Sequence, residues 1–172
     1  MEIIDIYNDE RQLSGETVVR GTPLSLGKNR QVVHLCLFNS KGEMLIQQRK
    51  STKKLWPSLW DISAGGNSIS GETSKQSVHR EVLEELGLDI DFTNNRPYIT
   101  TYFDYGFDDY YFFTKDIDIS ELKLQKDEVE TVKWATLQEV LRLYERGEFV
   151  PYMESFLITL FDLKNQRGVI LE

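Results

Sequence analysis

Gly66-Asn67-Ser68-Ile69-Ser70-Gly71-Glu72, and then Arg80-Glu81-Val82-Leu83-Glu84-Glu85-Leu86-Gly87-Leu88, is the stretch that decides how this chain is read. Thr73 or Ser74, between the two halves, carries a side-chain oxygen suited to capping a helix start. Gly87 stands where a left-handed helix stop belongs. Val78, Val82 and Leu86 recur every four residues, with Leu83 beside them. That spacing predicts a helix over 73–86 with one buried stripe. The glycines before it predict a loop that lets backbone amides and carbonyls approach a ligand closely.

Glu81, Glu84 and Glu85 stand at i, i+3 and i+4, so three carboxylates share one side of this helix. Like charges at that spacing repel by a few tenths of a kcal/mol per pair in water, roughly. A divalent cation would reverse the sign, and hard oxygen donors suit Mg2+ or Mn2+ bridging to phosphates. Arg80 can pair with Glu84 one turn on, or with Glu72 at the helix entrance. Against this stands the plain alternative that a cluster of glutamates is a solvated face.

Around the helix, short strand-like runs are punctuated by Gly and Pro. Residues 2–6 and 17–20 read as strands separated by the polar stretch 7–16. Residues 31–38 are apolar and β-branched, the turn 39–42 follows, and 43–48 reads as the return strand of a hairpin. Residues 98–105 and 108–114 read as two aromatic strands joined at Gly106, and 129–134 as another strand. Thr136-Leu137-Gln138-Glu139 is a capping box opening a helix that ends at Gly147. A last helix is expected after Pro151, with Phe156, Leu157, Leu160 and Phe161 inward. Strands on both sides of the first helix predict an α/β protein, a mixed sheet with helices packed on it.

The 172 residues suffice for one domain, so residues 1–172 are expected to form a single unit. Twenty basic against 28 acidic residues give a net charge of −8, which argues against a general nucleic-acid or anionic-membrane binder. The single cysteine, Cys36, allows no intrachain disulfide. With no export signal in Met1-Glu2-Ile3-Ile4-Asp5, it fits a cytoplasmic location. No apolar run approaches the ~18 residues that span a bilayer.

The spacing of Gly66, Glu72, Arg80, Glu81, Val82, Glu84, Glu85, Gly87 and Leu88 resembles the box of the Nudix family at every specified place. Chance would give such a match on the order of 10⁻⁸ across a chain of this length. The resemblance implies an α/β/α sandwich with a mixed sheet and Mg2+-dependent hydrolysis of a diphosphate linked to another group. It implies that Glu81, Glu84 and Glu85 are catalytic, metal-binding carboxylates, with Glu81 also a candidate base. The carbonyl of Gly65 or Gly66 would complete the site, Glu72 and Arg80 would be a structural pair, and a further acid would come from Glu128 or Glu130, with Glu128 favoured.

Substrate identity lies outside the box. Arg49, in the basic run Gln47-Gln48-Arg49-Lys50 continued by Lys53-Lys54, is a candidate for the distal phosphate, against the alternative of a basic strand edge. Trp56 and Trp60 either pack in the core or shape the pocket, and the aromatic hairpin either packs across strands or stacks a base. The stretch Trp56-Pro57-Ser58-Leu59-Trp60, then Ser63 and Gly65-Gly66, is similar to the isopentenyl-diphosphate isomerase branch of the superfamily. Those isomerases need a cysteine where Ala64, Gly65 and Gly66 stand here. The expected partner is a small-molecule diphosphate, either a nucleoside diphosphate derivative or a related organic diphosphate. The alternatives are the isomerase and a catalytically silent nucleotide-binding module. The N-terminal strands or the aromatic hairpin could pair across a two-fold axis into a homodimer.

Overall fold

The computed structural model describes residues 2–165. Residue 1 and residues 166–172, the ends of the span expected as a single domain, lie outside the described residues. The chain runs β1 (Ile3–Tyr7), β2 (Leu13–Val19), β3 (Arg30–Phe38), β4 (Met44–Arg49), β5 (Trp60–Asp61), β6 (Ala64–Asn67) and α1 (Ser74–Leu86). It continues with β7 (Ile99–Phe103), β8 (Gly106–Thr114), a 3-10 turn (Ile119–Glu121), β9 (Val129–Ala135), α2 (Leu137–Glu145) and α3 (Glu154–Leu163).

β1 and β2 form a sheet of their own, and the other seven strands form a mixed sheet. Its axis is β3, which runs parallel to β8 from Arg30↔Gly106 to Phe38↔Thr114 and antiparallel to β6. Period-two alternation sends Val33, Leu35 and Leu37 of β3 to one face, where α1 lays Val78, Val82 and Leu86. Cys36 and Phe38 go to the other face, which α2 and α3 cover with Val140, Leu143, Leu157, Leu160 and Phe161. Helices on both faces of a mixed sheet make the α/β/α sandwich.

The helix ends follow the sequence closely. Thr73 caps α1 in a box with Gln76, and Gly87 closes it at φ 69°. Thr136 and Glu139 cap α2 in the same way. Four local expectations are met only in part or not at all. The expected 31–38/43–48 hairpin pairs only at Phe38↔Met44, because β4 leaves β3 to pair with β5 and β9. The glycine loop before α1 begins as strand β6, since its small residues let it lie against β3. The polar stretch 7–16 contains the first half of β2, which lies exposed and so needs no apolar alternation. Leu83, expected inside, is 45% exposed, while Glu81 and Glu85 are buried. The inner face of α1 is therefore partly carboxylate.

Among the described residues no helix is long and apolar enough to cross a membrane.

Candidate active site

The inward turn of α1 places Glu81 at 8% and Glu85 at 5% exposure. The Glu84 side chain, 48% exposed, stands at the rim. A buried carboxylate needs partners, and the sheet supplies them. Glu85 Oε2 accepts from the Gly65 amide at 3.1 Å and from Gln47 Nε2, on β4, at 3.0 Å. Gly66 lies against Glu81 so closely that a Cβ there would stand 2.3 Å from its Oε1. Glycine at 65 is required by close approach, since a Cβ there would meet the Val33 carbonyl at 2.6 Å, whereas one at 66 would displace the Glu81 carboxylate.

Arg80 ties the constellation together. Its Nε and Nη2 reach Glu72 at 2.8 and 3.1 Å, its Nη1 reaches Glu81 at 2.8 Å and Glu84 at 3.1 Å, and Nη2 also donates to the Asn67 carbonyl. Glu72 in turn accepts from Ser77 Oγ and the Ile69 amide. Burial pushes the Glu72 carboxyl up, but the hydrogen bonds from Arg80, Ser77 and Ile69 prevail and hold it below its usual range. Glu81 goes the other way: burial raises it and Glu84 adds to that, while Arg80 only partly offsets both. Burial and the neighbouring Glu81 charge push Glu85 up to about 8, against the opposing bonds from Gly65 and Gln47. Glu81 and Glu85 are thus buried together in one cleft, which is not the environment of a solvated helix face.

The three carboxylates line a cleft of about 80 Å³ together with Gly65, Gly66, Arg49, Lys53, Gln125, Glu128 and, from the N-terminal hairpin, Glu2 and Arg20. Glu128 is held by Lys53. Glu130 pairs with Lys50 and does not line the cleft. Arg49 Nη1 pairs with Asp61 at 3.2 Å and its Nε donates to the Leu55 carbonyl. A larger recess, about 800 Å³, lies beside Lys75, Arg96 and Leu163. None of the box carboxylates lines it, so chemistry rather than volume selects the smaller cleft.

Other residues read from the sequence lie elsewhere. Trp56 is exposed and Trp60 packs on the core under Lys133, and neither lines the cleft. Phe107, Tyr110 and Tyr111 are buried and pack across the sheet. His34 stacks on Tyr110 and meets Asp108 at 3.1 Å, and His79 meets Asp89 at 2.9 Å. Sequence reasoning passed over Gln47, Gln125, Glu2 and Arg20. Gln47 carried a signal, a polar residue closing the apolar run Met44-Leu45-Ile46. The others carried none.

A family model described as the NUDIX domain matches residues 28–157. The chain belongs to the Nudix family. An uncharacterized Nudix hydrolase of Listeria monocytogenes is 47% identical over 165 residues, 96% of each chain. An isopentenyl-diphosphate Delta-isomerase of Corynebacterium diphtheriae is 29% identical over 126 residues, 67% of this chain and 69% of that one. Among solved structures, a Deinococcus radiodurans protein superposes with a TM-score of 0.77 at 26% identity, covering 92% of this chain and 98% of that one. The protein is accordingly a Nudix hydrolase, an enzyme of a family that acts on small molecules with divalent metal ions.

The residues present fit such an ion by their donor chemistry: hard carboxylate oxygens, two of them buried without enough positive charge around them. Among the described residues no three acidic, histidine or cysteine groups already form a cage, because Arg80 sits between Glu81 and Glu84.

Proposed function

We propose that this Nudix hydrolase cleaves the diphosphate linkage of an organic diphosphate, a nucleoside diphosphate derivative or a related compound, with Mg2+ or Mn2+ as cofactor. The single observation carrying this is the raised Glu81–Glu85 pair beside Glu84 in one polar cleft. Glu81, Glu84 and Glu85 would hold the metal, with the Gly65 carbonyl and Glu128 completing its surroundings. Bound there, a divalent ion screens the phosphate oxygens and lowers the pKa of water.

The chain's own groups supply the rest. Water adds to one phosphorus, the bridging oxygen leaves with the other, and a carboxylate takes the water's proton. Glu81, buried and raised, is the candidate base. Arg49, which lines the same cleft, binds the distal phosphate. Arg80 and Glu72 fix the helix against the β6 strand and keep Glu81 and Glu84 in place. We take residues 1–172 as one catalytic domain working in the cytoplasm.

The isomerase reading is disfavoured by Cys36, which is fully buried in the core beneath α2 and α3, its thiol pushed up by burial. Ala64, Gly65 and Gly66 stand where the reactive thiol would be required. Intact carboxylates likewise disfavour the silent binding module.

The test is phosphate release from nucleotide sugars, dinucleotides, nucleoside triphosphates and isoprenoid diphosphates, with Mg2+ and with chelator. Turnover lost on chelation and in the Glu84→Gln/Glu85→Gln double variant supports the proposal. An active double variant refutes it, and interconversion of the two five-carbon diphosphates would install the isomerase instead.

A further inference from the structure

The family match begins at residue 28, yet the β1–β2 hairpin before it supplies part of the cleft wall. The hairpin is pinned to the segment that enters α1. The Ile3 carbonyl accepts from the Ser70 amide at 2.8 Å, and Asp5 accepts from Ser70 Oγ at 2.7 Å and the Gly71 amide at 2.8 Å. At its turn, Arg11 reaches fully buried Asp109 through two contacts of 2.8 and 3.0 Å. These ties fix the open end of the hairpin, Glu2 and Arg20, over the acidic helix.

The basic groups around the cleft differ in how firmly they are held. Arg80 is committed to Glu72, Glu81, Glu84 and a carbonyl. Arg49 is bound to Asp61 and a carbonyl, and Lys53 to Glu128. Among the described residues Arg20 has one ion pair, with Glu2 at 2.6 Å, both side chains being nearly half exposed, and its charge also acts on Glu81. An exposed pair of this kind contributes little and exchanges readily. A diphosphate offers a guanidinium more charge and a better bidentate geometry than one carboxylate does.

We propose that Arg20 is a substrate-binding residue: its guanidinium leaves Glu2 and binds a phosphoryl oxygen of the substrate diphosphate, so that the N-terminal hairpin forms one jaw of the site. The assignment rests on the hydrolase reading above. It makes Glu2 a resident competitor that occupies Arg20 until a diphosphate arrives.

The probe is methylenediphosphonate, a non-hydrolysable diphosphate, titrated calorimetrically into the full chain in magnesium buffer. Losing a charged hydrogen bond should weaken binding by Arg20→Ala about 10- to 100-fold. Arg20→Lys should recover part of this, and Glu2→Gln should bind as tightly as the wild type or tighter. With the best substrate, Arg20→Ala should raise KM and leave kcat nearly unchanged. Wild-type binding by Arg20→Ala would overturn the Arg20 assignment alone. No binding by the wild type would overturn the diphosphate reading, and this assignment with it.

Discussion

Replacing Glu85 by Gln should stabilise the metal-free protein in a pH-dependent way. In the folded chain this carboxyl titrates near 8, against an ordinary 4.5, mainly because it is buried and then because Glu81 lies beside it. Between those values the folded state holds a proton that the unfolded state has released. Stability contributed by the neutral form is therefore complete below about pH 4.5, falls as pH rises, and levels off above about 8. Each pH step costs about 1.4 kcal/mol, so the full window costs the wild type about 5 kcal/mol. Glutamine keeps an oxygen for the Gly65 amide and Gln47 and has no proton to lose. Urea unfolding of both proteins in chelator, from pH 5 to 8.5, measures the difference directly. The variant's advantage should be small at pH 5 and grow to several kcal/mol by pH 8.5. Millimolar magnesium should flatten the wild-type decline, because a cation compensates the buried charge. A difference that stays constant across this range would refute the reasoning.

Gly66→Ala should fold but lose about 100-fold in kcat, since its Cβ would displace the Glu81 carboxylate it meets at 2.3 Å; CD and steady-state kinetics separate the two effects. Arg80→Ala should cost about 2–3 kcal/mol in urea unfolding by leaving Glu72 half-buried and unpaired. Arg80→Lys should not recover this, because two nitrogens of the fork engage Glu72. Gly87→Ala should lose about 2 kcal/mol in the same assay, as its φ of 69° disfavours any Cβ and Lys123 stands 2.7 Å from one.

The parts of the fold legible in the sequence are those fixed by local chemistry. The α1 and α2 boundaries were readable because Thr73, Thr136, Gly87 and Gly147 act through their own backbone neighbourhood. The α/β class followed from strands flanking a periodic helix. The sheet's wiring did not, because the parallel β3–β8 pairing joins residues some 76 positions apart and leaves no local mark. Leu83 misled because hydrophobicity alone placed it inside, whereas the helix buries Glu81 and Glu85 on that side. In the site, Glu72, Arg80 and the three carboxylates were legible through their spacing on one helix. Arg49, at the end of β4, and Glu128, in the turn before β9, were picked by residue type, and the fold brings both to the cleft. Arg20 and Glu2 stayed hidden because their approach depends on how the hairpin docks through Asp5 and Arg11.

The most direct test is a crystal soaked in manganese with methylenediphosphonate and measured at the manganese absorption edge. An anomalous peak among the carboxylates of Glu81, Glu84 and Glu85, with the diphosphonate against it, is the predicted result. A well-diffracting crystal with no peak along that helix would contradict the account.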